Sequence, residues 1–216
     1  MGLNHSPSIV TNGLTLYLDS VNSKSYPGSG TTWINLSTNT NSFTLVSSPS
    51  LGANNIFSFN GSTQYASTSN NLLNSTAYTK CAWFQTSNLS ASNNIMSGNI
   101  GQHAFWLAGG NKLNSGHNSL WSTVQSSTTL VVNQWYFGAV TFNTTTGWAL
   151  YLNGLLEDTD VSTTTFTGGT GDVQVAAYGN SNNFLGQING VFIYDRVLTA
   201  QEILQNYNAL KGRYGL

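Results

Sequence analysis

The sequence predicts an all-β chain: a two-sheet antiparallel β-sandwich or jelly roll closed by one C-terminal helix. Three observations predict it. Short aromatic and β-branched runs recur between turn-rich segments, only the segment after Leu198 reads as a helix, and 103 of the 216 residues are Asn, Ser, Thr or Gly.

Taken in order, the strands are expected at residues 14–19, 56–59, 79–86, 103–107, 130–132, 135–142, 148–153, 172–177 and 188–194, with weaker signals at 43–46 and 119–124. Many are rich in Tyr, Phe, Trp, Val and Ile, which suit a pleated, half-buried surface. In 135–142, Trp135, Phe137, Ala139 and Thr141 share one face and Tyr136, Gly138, Val140 and Phe142 the other. Both faces are apolar, as in a strand at the middle of a sandwich. Asn153-Gly154 after the next run is a tight-hairpin signal. Residues 168–171, Gly-Gly-Thr-Gly, mark a loop, and 109–117 reads as another.

The end of the chain has a different pattern. Thr199 and Glu202 form a capping box, and Leu198 and Ile203 a hydrophobic staple. Ile203, Leu204, Tyr207 and Leu210 then make one apolar stripe, Lys211 suits the C-terminal dipole, and Gly212 closes the helix. The expected organisation is an N-terminal arm over 1–12 and a single domain over 13–216 that includes a helix over 199–212.

Charge excludes several functions. Six Lys or Arg and seven Asp or Glu leave a net charge of −1, so there is no basic field for nucleic acid. With 39% hydrophobic residues the chain has material for a core, and no apolar run approaches a membrane span. Gly2 and Ser6 fit the loose myristoylation pattern only weakly. The single cysteine, Cys81, excludes an intrachain disulfide and a cysteine-based zinc site, and its apolar surroundings predict a buried, inert thiol. Five Asn-x-Ser/Thr sequons, at Asn35, Asn60, Asn74, Asn88 and Asn143, are no more than so many Asn, Ser and Thr produce by chance.

Five stretches, in this order, resemble the laminin-G-like, concanavalin A-like jelly-roll superfamily. They are Gly13-Leu14-Thr15-Leu16-Tyr17-Leu18-Asp19 with the Ser25-to-Trp33 segment, Phe57-Ser58-Phe59-Asn60-Gly61, Asn133-Gln134-Trp135-Tyr136, Tyr151-Leu152-Asn153-Gly154, and Phe184-Leu185-Gly186 running into Tyr194-Asp195-Arg196-Val197-Leu198-Thr199. The first and last are similar to the subtype found in phage and virus structural proteins. The resemblance implies a non-enzymatic virion protein, a capsid decoration or fibre module. It would dock on a capsid or tail protein of the same particle and self-associate as a homo-oligomer. The start, Met1-Gly2-Leu3-Asn4-His5, has no basic and apolar leader. The expected location is therefore the virion surface, after synthesis in the host cytoplasm without a signal peptide. The alternative reading is a lectin-like module that attaches to host or environmental polysaccharide; a glycoside hydrolase ranks third.

No cofactor or metal is expected. Related domains often carry Asp where this chain has Asn60, Gln64 and Asn189, which argues against an acidic calcium site and leaves only one built from Asn and carbonyl oxygens. The one acidic cluster, Glu157, Asp158 and Asp160, reads as a solvated loop and lacks the strand motif of related glucanases. His5, His103 and His117 have no metal-ligand spacing. Sugar binding needs aromatic platforms ringed by amides. Trp106 and Trp121 flank the 109–117 loop, with His103, His117, Asn111 and Asn114 close in sequence, and Tyr178 precedes an Asn-rich segment. These seven are the candidate carbohydrate-binding residues, with ordinary strand packing as the competing reading for the tryptophans.

Overall fold

A computed structural model describes residues 7–52, 54–70, 72–89, 93–98, 103–167 and 173–216. The expected loop at 168–171, the first residue of the 172–177 strand and His5 lie outside these residues. In chain order the strands are β1 (Leu14–Leu18), β2 (Thr32–Trp33), β3 (Phe43–Val46), β4 (Ser50–Leu51), β5 (Phe57–Asn60), β6 (Tyr65–Thr68), β7 (Ala77–Thr86), β8 (Asn93–Asn94) and β9 (Met96–Gly98). They continue as β10 (His103–Ala108), β11 (Lys112–His117), β12 (Val124–Gln125), β13 (Tyr136–Asn143), β14 (Gly147–Leu152), β15 (Leu155–Asp160), β16 (Val173–Val175) and β17 (Leu185–Tyr194).

All pairings are antiparallel. An eight-stranded sheet runs β15-β14-β13-β7-β17-β5-β4, with β1 also on β17. A four-stranded sheet, β12-β11-β10-β8, and a five-stranded sheet, β2-β3-β6-β16-β9, adjoin where Ile95 N donates to Phe105 O. Side chains from all three sheets meet in one core, among them Phe84, Val140 and Leu152 with Phe105, Leu113, Trp33 and Val175. This is the expected β-sandwich, with two small sheets facing a large one.

The alternation read in 135–142 is observed. Tyr136, Val140 and Phe142 enter the core between the sheets, while Phe137 and Ala139 enter a second cluster on the outer face of the large sheet. Helix α1 (Ala200–Leu210) covers that outer face. Its capping box is formed: Glu202 N donates to Thr199 Oγ1 at 3.2 Å and Thr199 N to Glu202 Oε2 at 2.8 Å. Glu202 also takes a bidentate pair from Arg196, at 2.9 and 2.5 Å. Tyr207 and Tyr214 stack on Trp83, at 5.6 and 4.2 Å between centroids. The helix does not end at Gly212. A 3-10 turn over Lys211–Tyr214 follows, and Gly215, at φ 75°, closes it.

Three other expectations are corrected. Residues 130–132 form no strand: Leu130 is buried, but Val131 and Val132 are exposed with no partner strand. Of 119–124 only Val124 is in a strand, because Asn118 and Ser119 adopt positive φ and turn the chain. The 109–117 loop is instead a turn followed by β11, paired along its whole length with β10. The hairpin at Asn153-Gly154 is as expected, with φ 51° and 83°.

The three positions where relatives often carry Asp hold the fold. Asn60 Oδ1 accepts from the N–H groups of Ser62, Thr63 and Gln64, and Gln64 donates to the carbonyls of Ser47 and Ser48. Asn189, fully buried, accepts from Ser20 N and donates to Asp19 and to Tyr214 OH. Cys81 is buried, and burial pushes its thiol well up, out of the reactive range.

Candidate functional site: an aromatic cleft on the four-stranded sheet

In β10, Phe105 and Leu107 point into the core, so Ala104 and Trp106 face outward. Opposite Ala104 is Gly116. A side chain there would meet Leu120 O at 1.7 Å, so the glycine lets the 118–123 turn fold back over the sheet. That turn brings Trp121 beside Trp106, and Trp106 Nε1 donates to Trp121 O at 2.8 Å. Tyr178 closes the third side, edge-on to Trp121 at 5.3 Å. The result is a cleft of about 160 Å³ lined by Asn94, Ala104, Trp106, Trp121, Tyr178 and Asn182. Its three aromatics are only half-buried.

The structure therefore brings together Trp106, Trp121 and Tyr178 from separate segments. The other four candidates lie outside this cleft. Asn114 is fully buried, donating to Lys112 O and accepting from Gln125 Nε2. Asn111 sits in the β10–β11 turn at φ 61° and lines a different depression, with Leu89, Val131 and Val132. His103 and His117 are 1% and 3% exposed and belong to the core. Asn94 and Asn182 were not among the expected residues; the Asn-rich stretch after Tyr178 was a sequence signal for Asn182 and none pointed to Asn94.

The two histidines meet a buried lysine. Lys80, on the inward face of β7, donates to Ala104 O at 3.0 Å and lies 3.3 Å from His103 Nδ1. It faces the Tyr78 and Phe105 rings, each at 5.7 Å. His117 Nε2 faces Thr164 O at 2.9 Å, which makes it the protonated nitrogen, and Nδ1 accepts from Tyr78 OH. No carboxylate of the described residues joins this group, and His103 Nε2 has no partner among them. Burial holds Lys80 well below the usual lysine range. It does the same to His103, helped by the Lys80 and His117 charges, and brings His117 from 6.5 to about 4.

A basic group with a lowered pKa disfavours the fold wherever it must be charged. Stability should therefore fall as pH drops from 6.5 toward about 4, through His117. Each such group adds up to about 1.4 kcal/mol per pH unit to the slope. In thermal melts His117→Gln should flatten this fall; an unchanged slope would contradict the assignment.

The acidic cluster is not a loop. Glu157, Asp158 and Asp160 lie in β15, at the edge of the large sheet, and the first two fasten β12 and the segment after it. Glu157 accepts from Thr128 N and Oγ1, both at 2.8 Å, and from Ser127 Oγ. Asp158 accepts from Gln125 N at 2.8 Å. Burial opposes the charge on Glu157, but these hydrogen bonds outweigh it and hold the carboxyl below its usual range. Asp160 reaches the depression beside Trp106 and Trp121.

The sequence profile of the concanavalin A-like lectin/glucanases superfamily matches residues 60–204. No curated protein matches the chain. Among solved structures, domain 4 of AbnA, a GH43 extracellular arabinanase from Geobacillus stearothermophilus, in complex with arabinotriose, aligns with a TM-score of 0.67 at 17% identity. The alignment covers 92% of this chain and 100% of that domain. The binding domain of botulinum neurotoxin DC in complex with SialylT aligns at 0.66 and 14% identity, over 93% of this chain. A Trypanosoma rangeli sialidase mutant displaying trans-sialidase activity aligns at 0.67 and 12% identity, over 94% of this chain. The chain spans about half (52%) of the toxin domain and 34% of the sialidase. At these identities the likeness is one of fold.

Proposed function

The chain belongs to the concanavalin A-like lectin/glucanase superfamily, and on that premise we propose that it is a non-enzymatic carbohydrate-binding module whose ligand sits on Trp106, Trp121 and Tyr178. The observation that carries this reading is the cleft itself. Three half-buried aromatic rings stand together with the amides of Asn94 and Asn182 at their edge. An apolar floor with a few placed polar groups is the usual make-up of a small-ligand site. Rings accept the C–H faces of a sugar, and amides serve both as donor and as acceptor to its hydroxyls. The arabinanase domain, similar over its full length, was seen with arabinotriose, which supports the same class of ligand.

Hydrolysis needs two carboxyl groups about 5–5.5 Å or 6.5–9.5 Å apart across the bond. Among the described residues no carboxylate lines the cleft, and Asp160 is the one carboxylate lining the depression next to it. Asp19 and Glu202 are paired with arginines, and Glu157 and Asp158 are spent on the β12 segment. The module is read as binding without cleaving.

On a broad glycan array the wild-type protein should bind at least one polysaccharide. Trp106→Ala and Trp121→Ala should each weaken that binding by about 10–200-fold, the cost of about 1.4–3 kcal/mol of lost ring contact. Equal binding by both variants would overturn the site.

Display on a virus particle is a second reading, favoured by one observation. Helix α1 covers the face of the large sheet opposite the layer that carries the cleft. The helix side could then dock on a capsid or tail protein while the cleft, on the other side, stays open. Peptide mapping of purified particles should find the chain; its absence would remove this reading and leave the module.

A further inference from the structure

Three depressions adjoin along the cleft. Trp106 and Trp121 line both the aromatic cleft and the hollow of about 580 Å³ that reaches Asp160. Asn182 lines both the cleft and a third hollow of about 460 Å³, whose wall includes Asn60, Asn93, Asn180 and Asn183. We infer that these form one groove for an internal stretch of an uncharged polysaccharide, with the asparagine-lined hollow as a second sugar subsite. This rests on the carbohydrate reading above and adds to it a chain length and a charge class.

The loop between the two subsites is built in advance of any ligand. Ala176, Gly179, Asn180 and Asn182 have φ of 69°, 56°, 61° and 46°. A buried alanine in the left-handed region costs about 1–2 kcal/mol, and such strain persists only where the surroundings fix it. Here they do. Tyr178 and Ser181 exchange two backbone hydrogen bonds of 2.9 Å around a primed Gly179-Asn180 turn. Gln174, 1% exposed, grips Asn180 from below, donating to its Oδ1 at 2.6 Å and accepting from its N–H at 3.1 Å. The Asn182 carbonyl accepts from Asn94 N and Nδ2, at 3.3 and 3.1 Å. Tyr178 is thereby held in the cleft and Asn180 in the second hollow, with Asn182 lining both. The Asn182 side chain is exposed, with its amide turned to no partner among the described residues. A rigid site loses little ordering entropy when it binds.

Charge selects the class of sugar. The six cations are Lys24, Lys80, Lys112, Arg196, Lys211 and Arg213, and none lines any of the three hollows. Among the described residues Asp160 is the only carboxylate that does. A sialic or uronic acid would bring its carboxylate into the groove with no cation to meet it and a like charge at one end. The groove discriminates against acidic sugars by what it lacks and by Asp160.

Isothermal titration tests this with cello-, manno-, xylo- and arabino-oligosaccharides from monosaccharide to hexasaccharide, together with sialyllactose and a galacturonate hexasaccharide. In at least one neutral series affinity should rise about tenfold or more with length. Asn180→Gly, which keeps the positive φ, should lower hexasaccharide affinity about tenfold more than monosaccharide affinity. Ser62→Ala, at a residue that lines the asparagine-lined hollow and not the aromatic cleft, provides a second variant. Affinity independent of length, or an equal loss for both lengths, would overturn the second subsite while leaving the aromatic cleft as a single-sugar site. Acidic glycans bound as tightly as neutral ones would overturn the charge class. Binding of none of the probes would overturn this inference together with the carbohydrate reading.

Discussion

Replacing Arg213 by Met should destabilise the protein by about 3 kcal/mol or more, because it leaves a buried carboxylate without its cation. Asp19 is 1% exposed. Its Oδ2 accepts from Arg213 Nη1 at 2.7 Å and from Tyr17 OH at 2.9 Å, and its Oδ1 from Asn189 Nδ2 at 2.9 Å. Burial raises the pKa of this carboxyl, but the hydrogen bonds from Arg213, Asn189 and Tyr17 and the Arg213 charge outweigh it and hold the group below the usual 3.8. A depressed carboxylate pKa stabilises the fold above the unfolded value, and that stability is lost as pH falls through the folded one. Wild type should therefore lose stability on acidification below about pH 4, and the variant should lose less, having forfeited that contribution already. Urea melts at neutral and acid pH read both effects. A loss under about 1 kcal/mol, the range of surface pairs, would contradict the description of Asp19 as an interior charge that depends on its partner.

The second large effect is expected at Gly116. Its added Cβ would fall 1.7 Å from Leu120 O and 2.8 Å from Leu120 C. Both are backbone atoms, so the 118–123 turn must move, taking Trp121 away from Trp106 and breaking the 2.8 Å bond between them. Gly116→Ala should cost about 1–3 kcal/mol in stability, as overpacking does, and about tenfold or more in glycan affinity. Gly109→Ala is the matched control in the preceding turn, where nothing lies within 4 Å of the new Cβ. If both variants bind like wild type, the turn does not build the cleft.

What the sequence revealed follows how local each signal is. The capping box of Thr199 and Glu202 and the Asn153-Gly154 turn involve neighbours in the chain, and both appear as expected. Strands such as β7 and β13 carry enough aromatic and β-branched residues to declare themselves. β11 does not: Lys112-Leu113-Asn114-Ser115-Gly116-His117 has a single core residue, Leu113, and is a strand because β10 pairs with it. β15 was hidden for the same reason, its acids holding a distant segment. The cleft was only partly visible. Its aromatics were the least core-like in the sequence, but Asn94 and Asn182 join them only through the fold. His103 and His117 look like surface polar residues until β7 is read by alternation. Lys80 then falls on the same face as Tyr78, Ala82 and Phe84, and an inward lysine must find buried acceptors.

The central claim is that a glycan rests on Trp106 and Trp121. The most direct measurement is the indole N–H region of a nitrogen-15 correlation spectrum during titration with the tightest-binding oligosaccharide. There are six tryptophans. Trp33 and Trp83 are fully buried away from the cleft, and Trp106 and Trp121 line it. The account predicts that the Trp106 and Trp121 signals shift while those of Trp33 and Trp83 stay in place. Binding that leaves Trp106 and Trp121 unmoved, or that shifts other indoles in their stead, would contradict it.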